Sequence, residues 1–206
     1  WAAFLDRLFV TSYFRSLARN GPRRARLALK TKGIRHPTVV SVMKQTDLVL
    51  TPTHLRFMNR RFPCTIGQGG LTMRKKEGDG ATPRGTHRLV GMLYRPDRMA
   101  RPADWALPIG PSDLWSDDMG DEDYNMMVRA PHPFSHERLR RADPMYDLVI
   151  LTDWNWPYAV KGRGSAIFIH AWRGPGRPTA GCVAFRPDHL RWIAARIRHE
   201  TRLVIA

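Results

Sequence analysis

Cysteine is scarce in this chain: Cys64 and Cys182 are the two in 206 residues. Cys182 sits in "SAIFIHAWRGPGRPTAGCVAF" (165–185), where one apolar run ends on His170, a Gly/Pro loop follows, and a second apolar run starts at the cysteine. A reactive thiol needs a base or cation that raises its thiolate fraction, donors for a developing oxyanion, and room for a substrate. The segment offers candidates for each. A returning loop would bring His170 beside the thiol, and the backbone N–H groups of Thr179, Ala180 and Gly181 could form an oxyanion hole. Gly181 would let the backbone approach a carbonyl closely. Two plainer readings stand beside this one. Cys182 could be a small buried hydrophobe among Val, Ala and Phe, or half of a Cys64–Cys182 disulfide.

The elements that must position such a pair are mostly strands. From about His36 the chain alternates short runs rich in β-branched and aromatic residues with Gly, Pro and Asp: "TVVSVM", "DLVLTP", "RFPCTIG", "GTHRLVGMLY", "YDLVILTDW", "SAIFIHAW", "GCVAFRP" and "RLVIA". One amphipathic helix stands out. Pro187-Asp188 starts it, and Leu190, Ile193, Ala194 and Ile197 make its apolar face. The expected body is therefore a mostly β (α+β) domain over 36–206, with one helix after Cys182 and a terminal strand. Residues 1–18 show helical spacing of apolar residues that Asn20-Gly21-Pro22 would end, so 1–35 is expected to be a basic helical arm.

Charge is unevenly spread. The net charge is +16, and residues 1–35 hold nine Lys/Arg against Asp6, while 111–128 hold six acids and no base. A basic surface suits a polyanionic partner such as nucleic acid, an anionic lipid surface or an acidic wall polymer. An apolar fraction of 43% argues against disorder over the whole length. There is no run of about 18 apolar residues, the length a membrane-spanning helix needs. "EGDGATPRG" lacks the Gly-Lys-Ser/Thr of a phosphate loop and reads as a hairpin turn. His132 and His136 have zinc-ligand spacing, but Pro131 and Pro133 flank the first and no third ligand is near, so no metal is expected. The acids around Gly120 do not fit a calcium-loop register, which leaves "DDMGDEDYN" as a solvated loop. No cofactor is called for.

His170, Thr179, Gly181 and Cys182, followed by aliphatic Val183, a helix and a last strand, resemble the signature of the L,D-transpeptidase (YkuD-type) catalytic family. Upstream, "CTIGQGG" and "EGDGATPRGTHRL" look like that family's strand, loop and Thr-Pro-X-Gly hairpin. "DDMGDEDYN", "HPFSHERL", "YDLVI" and "GRGSAIFIH" look like a branch with a long acidic insertion. The chain departs from many relatives at His87 (an aromatic position), at Ala180 (histidine), at Ala184 (arginine), and in a shorter His-to-Cys loop.

The resemblance implies a β-sandwich or barrel carrying a cysteine peptidoglycan transpeptidase. In that reading Cys182 attacks the stem-peptide amide before the terminal D-alanine, His170 handles the proton, and the thioester passes to an amine acceptor: a stem, a D-amino acid or an anchored protein. Its place would be the periplasm or cell envelope, and its partners the stem peptides, with association of 1–35 with a membrane surface as a further expectation. His136 and Glu137 would support the active-site wall, Tyr124 and Asn125 would border the groove, and Arg84, Arg173 and Arg177 would clamp substrate carboxylates. An L,D-carboxypeptidase of the same fold, and a basic nucleic-acid or anionic-surface module without catalysis, are the alternatives.

Overall fold

A computed structural model describes residues 43–206; the expected arm, the 35/36 boundary and nearly all of "TVVSVM" lie outside the described residues. The strands are β1 (Leu48–Leu50), β2 (His54–Phe57), β3 (Arg60–Thr65), β4 (Leu71–Thr72), β5 (Thr82–Pro83), β6 (Gly85–Tyr94), β7 (Ala106–Pro108), β8 (Asp113–Ser116), β9 (Met127–Arg129), β10 (His136–Arg138), β11 (Leu148–Thr152), β12 (Phe168–Ala171), β13 (Val183–Phe185) and β14 (Arg202–Ile205). A 3₁₀ turn, Pro144–Tyr146, precedes β11, and helix α1 spans Pro187–Ala194. The mostly β class and the helix after the cysteine agree with the sequence reading.

The main sheet runs β11-β12-β13-β3-β2-β1-β14-β6-β7, and β6 also pairs with β11, which closes it into a barrel. Strand β6 makes closure possible through its length of ten residues. Its Leu89–Tyr94 half pairs with β11, its Gly85–Arg88 half with β14, and its far end with β7. Closure leaves few unpaired edges to be protected.

Side-chain alternation divides this sheet between two apolar clusters. Leu89 and Met92 of β6, Leu148 and Ile150 of β11, and Ile169 of β12 point into the barrel, where α1 adds Leu190, Ile193 and Ala194. The intervening residues, Val90, Leu93, Val149, Leu151 and Phe168, point outward into a second cluster. Strands covered on both faces read as unbroken apolar runs, as "LVILT" and "AIFI" do. The cover on the outer face is a small sheet, β10-β8-β9, which brings Trp115, Met127 and Leu139 over Phe168.

That small sheet corrects the solvated-loop reading of the acidic segment. Asp121 is buried and accepts from Ser116 Oγ (2.5 Å) and Asp123 N (3.0 Å), with His132 Nε2 2.9 Å away. Asn125 takes a left-handed conformation (φ 61°) between β8 and β9, fully buried; its Oδ1 accepts from Trp115 Nε1 and its Nδ2 donates to Asn155 O. Acids with local donors can be buried, which composition alone does not reveal.

Candidate active site

Strands β12 and β13 run parallel, with His170 in register with Ala184. Cys182 lies two residues before Ala184 and keeps the same alternation, so its side chain shares the outward face of His170 one pleat away. Packing agrees: Cys182 lies against the outer cluster, and His170 meets the Tyr146 ring edge-on at 5.3 Å. Phe185, an odd step further, points into the barrel beside its cross-strand partner Cys64. The two cysteines thus face opposite sides of the sheet. Both are free, so the disulfide alternative is not realised.

The turn into β13 is pinned from below. Thr179 N donates to Ile66 O (3.0 Å), and Gln68 N donates to Thr179 O (2.9 Å). The fully buried Thr82 hydroxyl donates to Gly181 O (2.7 Å) and accepts from Gly67 N (2.9 Å). Space there is tight. A Cβ on Gly67 would come within 2.2 Å of Gly80 O and 2.9 Å of Gly181 Cα. Gly181 itself has φ 143°, which a side chain rarely adopts. "CTIGQGG" and "GATPRG" are therefore the bed on which the cysteine loop rests.

The structure narrows the oxyanion candidates. Thr179 N is committed to Ile66 O, and Gly181 N donates to Thr179 Oγ1 (3.1 Å), whose hydroxyl donates to Cys182 O (2.6 Å). The N–H groups of Ala180 and Cys182 have no partner among the described residues. They are the donors left for an anionic oxygen at this loop.

Electrostatically the pair is neutral at rest. His170 is buried, its Nδ1 lies 2.8 Å from Ala171 O, and burial pulls its pKa down to about 4. The carbonyl fixes the proton on Nδ1 and leaves Nε2 as the acceptor. Burial pushes the Cys182 thiol up to about 12, and the nearby Glu137 charge adds to the rise. The Phe168 N–H, 3.3 Å from Sγ, and Lys75 work the other way.

Two depressions meet at Cys182. One, of about 470 Å³, is lined by His170, His136, Tyr146, Arg141, Arg173 and Arg177 among others. The other, of about 540 Å³, is lined by Gln68, Lys75, Glu77, Asp117, Asp118 and Gly181 among others. Glu137, Ala180 and Cys182 border both.

Of the expected groove residues, His136, Arg173 and Arg177 line the first depression. Tyr124 is buried, with its hydroxyl donating to Glu77, and like Asn125 it lies behind the groove rather than on its surface. Their packing is a correction to the expected contact with substrate. Arg84 is exposed outside both depressions, with its N–H on Thr72 O. His132 is occupied by Asp121, and no group of three or more His, Cys, Asp or Glu among the described residues could hold a metal ion. His87 fills its aromatic position as a buried ring edge-on to Trp154, and burial lowers its pKa. Sequence reasoning missed Thr82, Tyr146 and Arg141. Tyr146 opens "YDLVI", a block that entered through the family resemblance and the apolar run it begins, with no role given to the tyrosine.

A family model described as the L,D-transpeptidase catalytic domain (YkuD) matches residues 40–205. No curated protein matches the chain. Among solved structures it is similar to one titled "Structure of Bdellovibrio bacteriovorus Bd1075", at 18% identity and a TM-score of 0.39, over 78% of this chain and 47% of that one. The chain thus spans about half the length of that structure. With 166 consecutive positions matched from 40 to 205, the barrel, its helix and the cysteine turn all fall inside the family's domain, and the chain belongs to the L,D-transpeptidase catalytic domain (YkuD) family.

Proposed function

We propose that this chain is a peptidoglycan L,D-transpeptidase with Cys182 as nucleophile and His170 as its proton acceptor. The family acts on peptidoglycan stem peptides, which supports L,D-transpeptidase activity and a cell-envelope setting. The observation that carries the residue assignment is the shared outward face of His170 and Cys182 on neighbouring parallel strands, opening on one depression.

The chemistry follows from the resting charges. With imidazole and thiol both neutral, proton transfer from Sγ to His170 Nε2 accompanies attack on the amide carbonyl rather than preceding it. The Ala180 and Cys182 N–H groups would receive the developing oxyanion. Collapse breaks the C–N bond, the imidazolium proton goes to the departing amine of D-alanine, and a thioester remains on Cys182. An amine acceptor then resolves it. Arg173 and Arg177, on the first depression, suit the donor peptide's carboxylates.

Incubation with a carbapenem followed by intact-mass measurement tests this reading. One adduct per chain is expected, absent from Cys182→Ala. An unmodified wild type, or an undiminished adduct on the variant, would overturn it. Product analysis with purified muropeptides then separates transfer from the carboxypeptidase alternative, in which water resolves the same thioester.

A further inference from the structure

The groove around Cys182 is electrically two-sided. The first depression gathers Arg138, Arg141, Arg173 and Arg177 against a single acid, Glu137. The second gathers Glu77, Asp117, Asp118 and Glu137 against a single base, Lys75. That lysine is already spent: its Nζ donates to Asp79 Oδ1 (2.5 Å) and Lys76 O (2.9 Å), and its side chain is 5% exposed. The thiol lies on the border between the two signs.

Glu137 is the residue common to both sides that carries charge. In the β8–β10 ladder it lies opposite Trp115, so it projects toward the outer cluster and the groove. There its Oε2 accepts from the Tyr146 hydroxyl, the residue whose ring edge meets His170. This bond fixes the carboxylate beside the thiol, yet no cation lies within salt-bridge range of it among the described residues. A carboxylate fixed next to a thiol opposes thiolate formation, even with the Arg141 charge acting on it from the arginine side, and so does not serve the first half-reaction. It does suit the second, in which a positively charged group must come to the same carbon. Beneath the same wall, Asp117 Oδ1 is buried and accepts no hydrogen bond among the described residues, an oxygen that lacks a donor.

We propose that the depression walled by Glu77, Asp117 and Glu137 is the acyl-acceptor site, that it takes a primary ammonium, and that Glu137 is the carboxylate that holds this ammonium beside the Cys182 thioester. The assignment rests on the transpeptidase reading above and adds a direction to it. The donor's carboxylates lie on the arginine side, and the acceptor's cation enters from the acidic side. In the transfer step the held ammonium first sheds one proton to water through the open side of the groove. The neutral amine attacks the thioester carbonyl; the C–N bond forms as the C–S bond breaks. The second amine proton passes through His170 Nε2 to the departing Sγ, which restores neutral imidazole and thiol. Water, being uncharged, gains nothing from Glu137, so this carboxylate biases the thioester toward transfer over hydrolysis.

The test measures partition of the acyl-enzyme with a purified tetrapeptide muropeptide as donor. Two acceptors are used in separate arms: a second muropeptide, read as dimer, and a free D-amino acid, read as exchange product. Each variant's transfer rate is divided by its own acylation rate, taken from carbapenem adduct formation. Glu137→Gln is expected to raise the acceptor concentration for half-maximal transfer about tenfold, the low end for a hydrogen bond to a charged group, because the site is open to water. Hydrolysis product should rise in proportion, and adduct formation should become faster because a charge opposing the thiolate is gone. Glu77→Gln, which borders only the acidic depression and is not among the charges acting on the thiol, should give a smaller shift of the same sign. A shift in one arm alone identifies the acceptor that the site serves. Unaltered acceptor dependence in both arms, with acylation intact, overturns the acceptor site alone. Loss of acylation in Glu137→Gln also overturns it, by making Glu137 part of the first half-reaction. A wild type that forms no adduct overturns the transpeptidase reading itself.

Discussion

Replacing Thr82 with valine removes one oxygen and nothing else of comparable volume. That oxygen is fully buried and makes two bonds, donating to Gly181 O at 2.7 Å and accepting from Gly67 N at 2.9 Å. Both partners are buried backbone groups in a place too tight for water to enter, where a Cβ on Gly67 would already meet Gly80 O at 2.2 Å. Valine would leave an orphan donor and an orphan acceptor, each costing about 1–3 kcal/mol. Because the two share one site their costs overlap, and a net loss of about 2–4 kcal/mol is expected. For a domain of this size that lowers Tm by about 5–15 °C. Thr82→Ser is the control: it keeps the hydroxyl and loses one buried methyl, about 1 kcal/mol.

The two effects separate by assay. Calorimetry or urea unfolding should rank wild type above Thr82→Ser and Thr82→Ser well above Thr82→Val. Carbapenem acylation should fall in Thr82→Val even at temperatures where it is fully folded, because Gly181 precedes the nucleophile and loses its tether. Equal stability of the serine and valine variants would refute the claim that the hydroxyl, rather than the packing of residue 82, holds the cysteine turn in place.

Four further outcomes follow from charge. Burial holds His170 at about 4 against 6.5 in the unfolded chain, so the unfolded state alone takes up its proton as pH falls from 6.5 to 4. Stability should decline through that window by about 3 kcal/mol in full, His87 adding in the same sense, and His170→Gln should flatten the decline in urea titrations at pH 7 and pH 4.5. Cys64 and Cys182 are both pushed up to about 12, so stability should fall as pH rises from 9 toward 12, with a shallower fall in Cys182→Ala. The same shift should make Cys182 react with iodoacetamide at pH 8 at least about tenfold more slowly in the native than in the unfolded protein. Finally, the β2–β3 hairpin turns at Met58-Asn59, both with positive φ, and sets Arg56 directly opposite Arg61, both exposed. Arg61→Glu should stabilise it by a few tenths of a kcal/mol at low salt, an effect that 0.5 M NaCl erases.

What the sequence made legible is what rests on local pattern. The apolar runs at 48–50, 85–94, 148–152, 168–171 and 183–185 all became barrel strands, and the spacing of Leu190, Ile193 and Ala194 gave α1 its inward face. His170 and Cys182 could be paired because each closes or opens such a run. The acidic insertion was opaque for a physical reason. Its strands are three or four residues long, too short for alternation to declare itself, and its buried acids are satisfied by partners such as His132 and Ser116 that no spacing rule links to them. Tyr124 and Asn125 were expected at the groove from the family resemblance alone, which carries no information on local packing, whereas Asn125 is buried by its left-handed turn and Trp115. Glu137 depends on register most of all. A slip of one residue in β10 against β8 would turn its carboxylate away from Tyr146 and the thiol, and put His136 or Arg138 in its place. The sign of the charge at the acceptor side of the groove is thus set by a three-residue strand, and the pairing of Glu137 with Trp115 is what fixes it.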